Sequence, residues 1–147
     1  METQKTKKHN IYLFLVGIFA LLLFSSTTCV KKVPFQNSTV VPAAQGSVKV
    51  RQDKNKNYAI EVAIVDLAEI GRLQSSKKTY VVWIETETGK FENIGQLKSS
   101  TGFLTKQHKA SLGTVTSFKP VKIFVTAEDG VNIRYPDSQV ILTTSSF

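Results

Sequence analysis

From position 47 onward, apolar residues recur at every second position in short runs separated by turn-forming residues. Over 47–51, Val48 and Val50 alternate with Lys49 and Arg51. Over 58–66, Tyr58, Ile60, Val62 and Ile64 share one face and Ala59, Glu61, Ala63 and Val65 the other. Over 79–86, Tyr80, Val82 and Ile84 oppose Val81, Trp83 and Glu85. Period-2 runs rich in β-branched and aromatic residues predict strands. Glu87-Thr88-Gly89-Lys90 reads as a turn, and 91–96 as the returning hairpin arm. A weaker strand is expected over 104–112 and a strong one over 121–128, with Val121, Ile123 and Val125 on one face and Phe124 on the other. Asp129-Gly130 turns the chain, and 140–144 closes the series. Only 66–74 carries helical spacing, through Leu67, Ile70 and Leu73. Nine residues make a marginal helix, so the segment reads as a turn or one short helical piece.

Several short strands with turns between them, and no repeat of roughly 20 to 50 residues, predict an all-β, immunoglobulin-like antiparallel β-sandwich over 47–147. In such a domain Tyr80, Trp83 and Phe124 read as core anchors: a large aromatic within a strong strand serves packing more often than binding.

The N-terminus follows a different pattern. Residues 1–10 are polar and basic, and 11–24 are apolar apart from Tyr12 and Gly17. Ser25, Ser26, Thr27 and Thr28 then lead to Cys29. A basic start, a short apolar run and a small-residue exit describe a secretory signal. The apolar run is shorter than the roughly 20 residues a bilayer-spanning helix needs. These residues resemble a bacterial lipoprotein signal peptide. That resemblance implies cleavage after Thr28, a diacylglyceryl group on the Cys29 sulfur and a further fatty acyl chain, such as palmitate, on the new amino terminus. The pattern departs from the strict one at Ser26, where Leu is usual, and at Thr28, where Gly or Ala is usual. Two or more acyl chains hold a protein stably at a bilayer, whereas one does so only marginally. An uncleaved signal-anchor with an incidental Cys29 and an unlipidated secreted form are the alternatives, and all three export the domain.

The segment 29–46 contains Pro34, Pro42, Gln36, Asn37, Ser38, Thr39, Gln45 and Gly46 without sustained periodicity. It is therefore expected to be a lipidated N-terminus and extended linker that lifts the domain off the membrane. The expected organisation is a signal peptide over 1–28, this linker over 29–46, and the sandwich over 47–147.

Charge and composition narrow the function. The chain carries +8, with Lys5, Lys7, Lys8 and Glu2 in the leader, so the remainder carries 16 basic and 10 acidic residues, or +6. Its lysines are scattered rather than interleaved with aromatics, which argues against nucleic-acid recognition. The single cysteine excludes an internal disulfide and a thiol metal cluster.

Three segments in order resemble the extracytoplasmic domain of anti-sigma-K factors of the RskA type. They are Tyr80-Val81-Val82-Trp83-Ile84 followed by Gly89 and Asn93-Ile94-Gly95-Gln96-Leu97; then Ile123-Phe124-Val125-Thr126-Ala127-Glu128-Asp129-Gly130; then Tyr135-Pro136. The resemblance implies a β-sandwich outside the cytoplasm. The helical sigma-binding domain of that family has no counterpart in this sequence, so sigma-factor inhibition is not implied.

Catalytic chemistry has little to work with. Outside the leader His108 is the sole histidine, flanked by Lys106 and Lys109, and a nucleophile needs an oriented base. Glu128-Asp129-Gly130 lacks the further oxygen donors calcium requires. Glu85 and Glu87 lie near a turn, where solvated charges are expected rather than a glycosidase pair. Neither a Gly-x-Ser-x-Gly elbow nor a phosphate-binding glycine loop occurs. The expectation is a non-enzymatic lipoprotein of the bacterial cell envelope. It is held to a membrane by lipid on Cys29, needs no cofactor or metal, and meets an envelope protein or glycan. The alternative is a sensory accessory of an anti-sigma-type signalling system.

Overall fold

The structure, a computed structural model, describes residues 30–73, 77–101, 108–137 and 139–147. Nine strands form among them: β1 (Val30–Pro34), β2 (Gln45–Gln52), β3 (Tyr58–Val65), β4 (Thr79–Thr86), β5 (Phe91–Gln96), β6 (Lys98–Thr101), β7 (His108–Thr116), β8 (Pro120–Glu128) and β9 (Val140–Thr143). The 66–74 segment contributes a single 3₁₀ turn, Ile70–Arg72.

The strands pair antiparallel in two sheets, β1-β2-β3-β7-β6 and β5-β4-β8-β9. With β1 set aside, β2-β3-β7-β6 and β5-β4-β8-β9 reproduce the immunoglobulin strand orders A-B-E-D and C′-C-F-G. The fold is an all-β sandwich of that topology, with an additional strand paired outside the first.

Period-2 patterning decides which faces meet. Ile60, Val62 and Ile64 of β3 turn inward with Val48 and Val50 of β2, against Tyr80, Val82 and Ile84 of β4 and Ile123 and Val125 of β8. Burying such side chains contributes about 1.5–3 kcal/mol each, which makes this layer the main source of stability. At Gly46 the strands come so close that a Cβ would lie 2.5 Å from the Ala63 carbonyl oxygen, so the position requires glycine.

The central strands β4 and β8 break the inward-outward rule. Residues 79–84 and 123–128 are buried at every position. Their outward side chains are covered as well, by the segment that connects β8 to β9.

Residues 30–46 do not form the extended linker expected of them. All five residues of β1 pair with β2, from Val30 opposite Arg51 to Pro34 opposite Ser47. Phe35 then bridges to Thr144, and the Gln36 N–H donates to the Thr143 carbonyl at 2.8 Å, joining the two sheets along this edge. The Ser38 hydroxyl donates to the Ile141 carbonyl and accepts from the Val41 N–H at 2.9 Å, which turns Val41 and Ala44 into the core. The folded unit includes Val30 onward instead of beginning at 47. The sequence pattern hid this because an edge strand buries only Val33 of its five residues, so no alternation shows.

Two more strands differ from expectation. The weak strand placed at 104–112 is β7, running on to Thr116, and residues 102–107 lie outside the described ones. Its inward positions Ala110, Leu112 and Thr114 give a faint signal. The entirely polar β6 at the opposite edge gives none.

Candidate functional site

Three places in the fold bring chemically capable side chains together. The first lies on the outer side of the four-stranded sheet. Val81, Trp83 and Phe124 project there, on the face opposite the inter-sheet core, and Ile133 packs over them. The Trp83 and Phe124 rings stack 6.4 Å apart, and Phe91 meets Phe124 edge-on at 5.3 Å. Such aromatic pairs contribute about 0.5–1.5 kcal/mol beyond the area they bury.

Polar groups tie the covering segment down. The Trp83 indole Nε1–H donates to Thr126 Oγ1 at 2.8 Å, and the Thr126 hydroxyl donates to the Glu128 carboxylate. The same carboxylate oxygen accepts the Asp137 N–H at 2.8 Å, although Glu128 is only 3% exposed. Asn93 donates its amide N–H groups to the carbonyls of Val131 and Ile133 at 2.8 and 3.2 Å. Lys77 pairs with Asp137 at 2.8 Å and with Asp129 at 3.2 Å. Its hydrogen bonds donated to Asp137, then to Asp129, hold the Lys77 ammonium above its ordinary pKa. These contacts link Trp83, Thr126, Glu128, Asn93 and Lys77 to the β8–β9 connection and clamp it over the sheet.

The second place is a pocket of about 250 Å³ at the end of the sandwich where β3 leaves, β4 enters and β5 crosses to β6. Its walls are Leu67, Ala68, Ile70, Tyr80, Leu97 and Ala110, with Lys78, His108 and Lys109 also lining it. Tyr80 donates its hydroxyl to the Ala68 carbonyl at 2.9 Å, and burial pushes its pKa up to about 12. Glu69 is paired with Arg72 at 3.3 Å. The volume lies just below the roughly 300–1,000 Å³ of most small-molecule sites.

The third place is the start of β1. Cys29 lies outside the described residues, but Val30, the next residue, is the first of β1 and pairs with Arg51. Cys29 therefore directly precedes the first strand in sequence.

Compared with protein-family models, curated proteins and solved structures, the chain matches none.

The aromatic residues singled out from sequence separate across the sheet. Tyr80 faces the inter-sheet core, whereas Trp83 and Phe124 belong to the outer cluster. His108 is exposed at the first residue of β7. Glu87 pairs with Lys119, whose pKa that contact raises, and Glu85 stands opposite Phe91 and Lys122 in the strand register. Glu128 and Asp129 are taken up by the clamp, and among the described residues no three His, Cys, Asp or Glu side chains converge on one point. Sequence reasoning missed the clamp of Lys77, Asn93, Thr126 and Asp137. One signal was present: Thr126 and Glu128 share the strand face of Phe124, so polar residues accompany large aromatics on a side expected to meet solvent.

Proposed function

We infer that the chain is a membrane-tethered protein of the bacterial envelope whose β-sandwich serves as an interaction or structural module without catalysis. The observation that carries this reading is the order of the chain: a basic stretch, an apolar run over 11–24, Ser25 to Thr28 and Cys29, followed at once by a folded β-domain. An exported domain needs such a leader, and lipid on Cys29 would keep it at the bilayer. Metabolic labelling with a fatty-acid probe tests the tether. Label on the wild type that disappears in Cys29→Ala supports it; an unlabelled wild type, or label undiminished in the variant, removes it.

A second reading, a sensory accessory of an anti-sigma-type envelope signalling system, draws on the strand motifs around Trp83, Gly95 and Glu128. It predicts that deletion alters envelope-stress transcription, and unchanged transcription removes it.

A further inference from the structure

We propose that the outer face of the five-stranded sheet lies flat against the anionic surface of the membrane to which the chain is tethered. The proposal rests on the membrane-tethered reading and adds the orientation and the ligand: the headgroups of anionic lipids.

Register alone defines the face, because directly opposed residues of an antiparallel sheet point to the same side. Val30 opposes Arg51, Arg51 opposes Ala59, and Ala59 opposes Val115, so one row runs from the first described residue across four strands. The next row joins Lys32, Lys49, Glu61 and Gly113. Toward the far edge Lys98 opposes Ser111, and Lys109 opposes Val65. The alternate positions, Val48, Val50, Ile60, Val62 and Ile64, are buried, which fixes these rows as the outward ones.

The face suits a flat anionic surface in shape and in charge. Its middle consists of small residues, Ala59, Ala63, Ser111 and Gly113, over a width of about 20 Å for five strands. Its long side chains are cationic: Lys32, Lys49, Arg51, Lys98 and Lys109, against the single carboxylate of Glu61. Such stems can reach phosphates while the backbone lies close to the surface. Val30 and Val115 add exposed aliphatic groups at the tethered end. The opposite side of the sandwich has no such excess. There Glu85, Asp129 and Asp137 offset Lys77 and Lys122, and the β8–β9 connection covers part of the sheet through Ile133.

The chain outside the described residues decides the occupant. Met1 to Cys29 contains the apolar run and the sole cysteine, and it ends one residue before Val30, at the corner of this face. Consecutive Cα atoms are about 3.8 Å apart, so no spacer separates the bilayer from the sheet. That holds for acyl chains on Cys29; an uncleaved apolar run would leave 25–29 between Phe24 and Val30, five residues that span at most about 18 Å. A domain attached at this corner lies within reach of the headgroup charges, inside the Debye length of about 8 Å at physiological salt.

The test uses the full chain, extracted from cells and reconstituted into vesicles of phosphatidylglycerol and phosphatidylethanolamine carrying a headgroup-attached spin-label quencher. One reporter variant, V115W, places tryptophan on the proposed face, and another, Y135W, places it on the far side. Wild-type emission from buried Trp83 is the baseline for both. The expected result is loss of most of the added emission in V115W and retention in Y135W. The contrast should shrink in phosphatidylcholine vesicles, at high salt, and in V115W combined with K49E and R51E. Equal quenching of the two reporters on protein that floats with the vesicles overturns the docking and leaves the tether standing. Protein that fails to float overturns both. Shielding of V115W in intact cells but not in anionic vesicles also overturns lipid docking, in favour of a different anionic occupant.

Discussion

Thr126→Val is the most informative single change in the outer clamp. Valine matches threonine in shape, so the substitution opens no cavity, and its effect comes from hydrogen bonding alone. The Trp83 indole N–H, now donating to Thr126 Oγ1 at 2.8 Å, would be left buried without an acceptor. An orphaned buried donor costs about 1–3 kcal/mol. Glu128 would lose the Thr126 hydroxyl and retain the Asp137 N–H at 2.8 Å. A hydrogen bond to a charged group contributes about 1.5–3 kcal/mol. The added methyl offsets part of the sum, so the expected loss is about 2–4 kcal/mol. For a domain of this size that lowers Tm by roughly 8–15 °C. Thermal and urea unfolding followed by circular dichroism and by Trp83 emission measure it. In a double-mutant cycle with W83F the donor is already absent, so T126V should cost about 1–3 kcal/mol less there than in the wild type. If T126V stays within about 0.5 kcal/mol of the wild type, or if the two changes simply add, the clamp does not hold the connection as argued.

Three other outcomes follow from the fold. Gly46→Ala places a Cβ 2.5 Å from the Ala63 carbonyl and 2.9 Å from Ile64 Cγ1, so urea denaturation should show a loss of about 1–3 kcal/mol, whereas an open strand would gain or stay level. Val33→Ala should cost about 1–2 kcal/mol, because the side chain is buried in β1; a loose tether at this position would show no change. Tyr80 titrates at about 12 in the fold against 10.0 as a free side chain, so the folded state holds its proton more tightly. That contribution is complete below pH 10.0 and is lost as pH rises toward 12. Tyr80→Phe should remove this part of the alkaline loss and cost about 1 kcal/mol at neutral pH through its bond to Ala68, read by tyrosinate absorbance and by denaturation across pH.

The strands legible in sequence are those whose two faces meet different surroundings. In β3 the polar or small side chains meet solvent and Ile60, Val62 and Ile64 meet the core, so alternation announces both strand and orientation. The hairpin around Gly89 was equally plain, since its φ of +73° suits glycine. At the sheet edges the signal fades. One buried residue in β1, and only polar residues in β6, leave no period to detect, although the backbone pairs fully in β1.

What the amino-acid order determined by itself was local: the run of strands, the turns, the apolar run over 11–24 and the sandwich class that follows from the strands. Side-chain period is a property of a few consecutive residues, and those features need no more than that. Which strands are neighbours, and what lies over each face, depends on residues far apart in the chain. Trp83 reads as a core residue in any local window; its position on the outer side came from a cover supplied by Ile133 and fastened through Thr126, Glu128 and Asp137. The row from Val30 to Val115 likewise exists only after β1, β2, β3 and β7 have paired in register. Tertiary structure made these decisions because hydrogen-bonded register and burial are set by partners that sequence spacing cannot bring together.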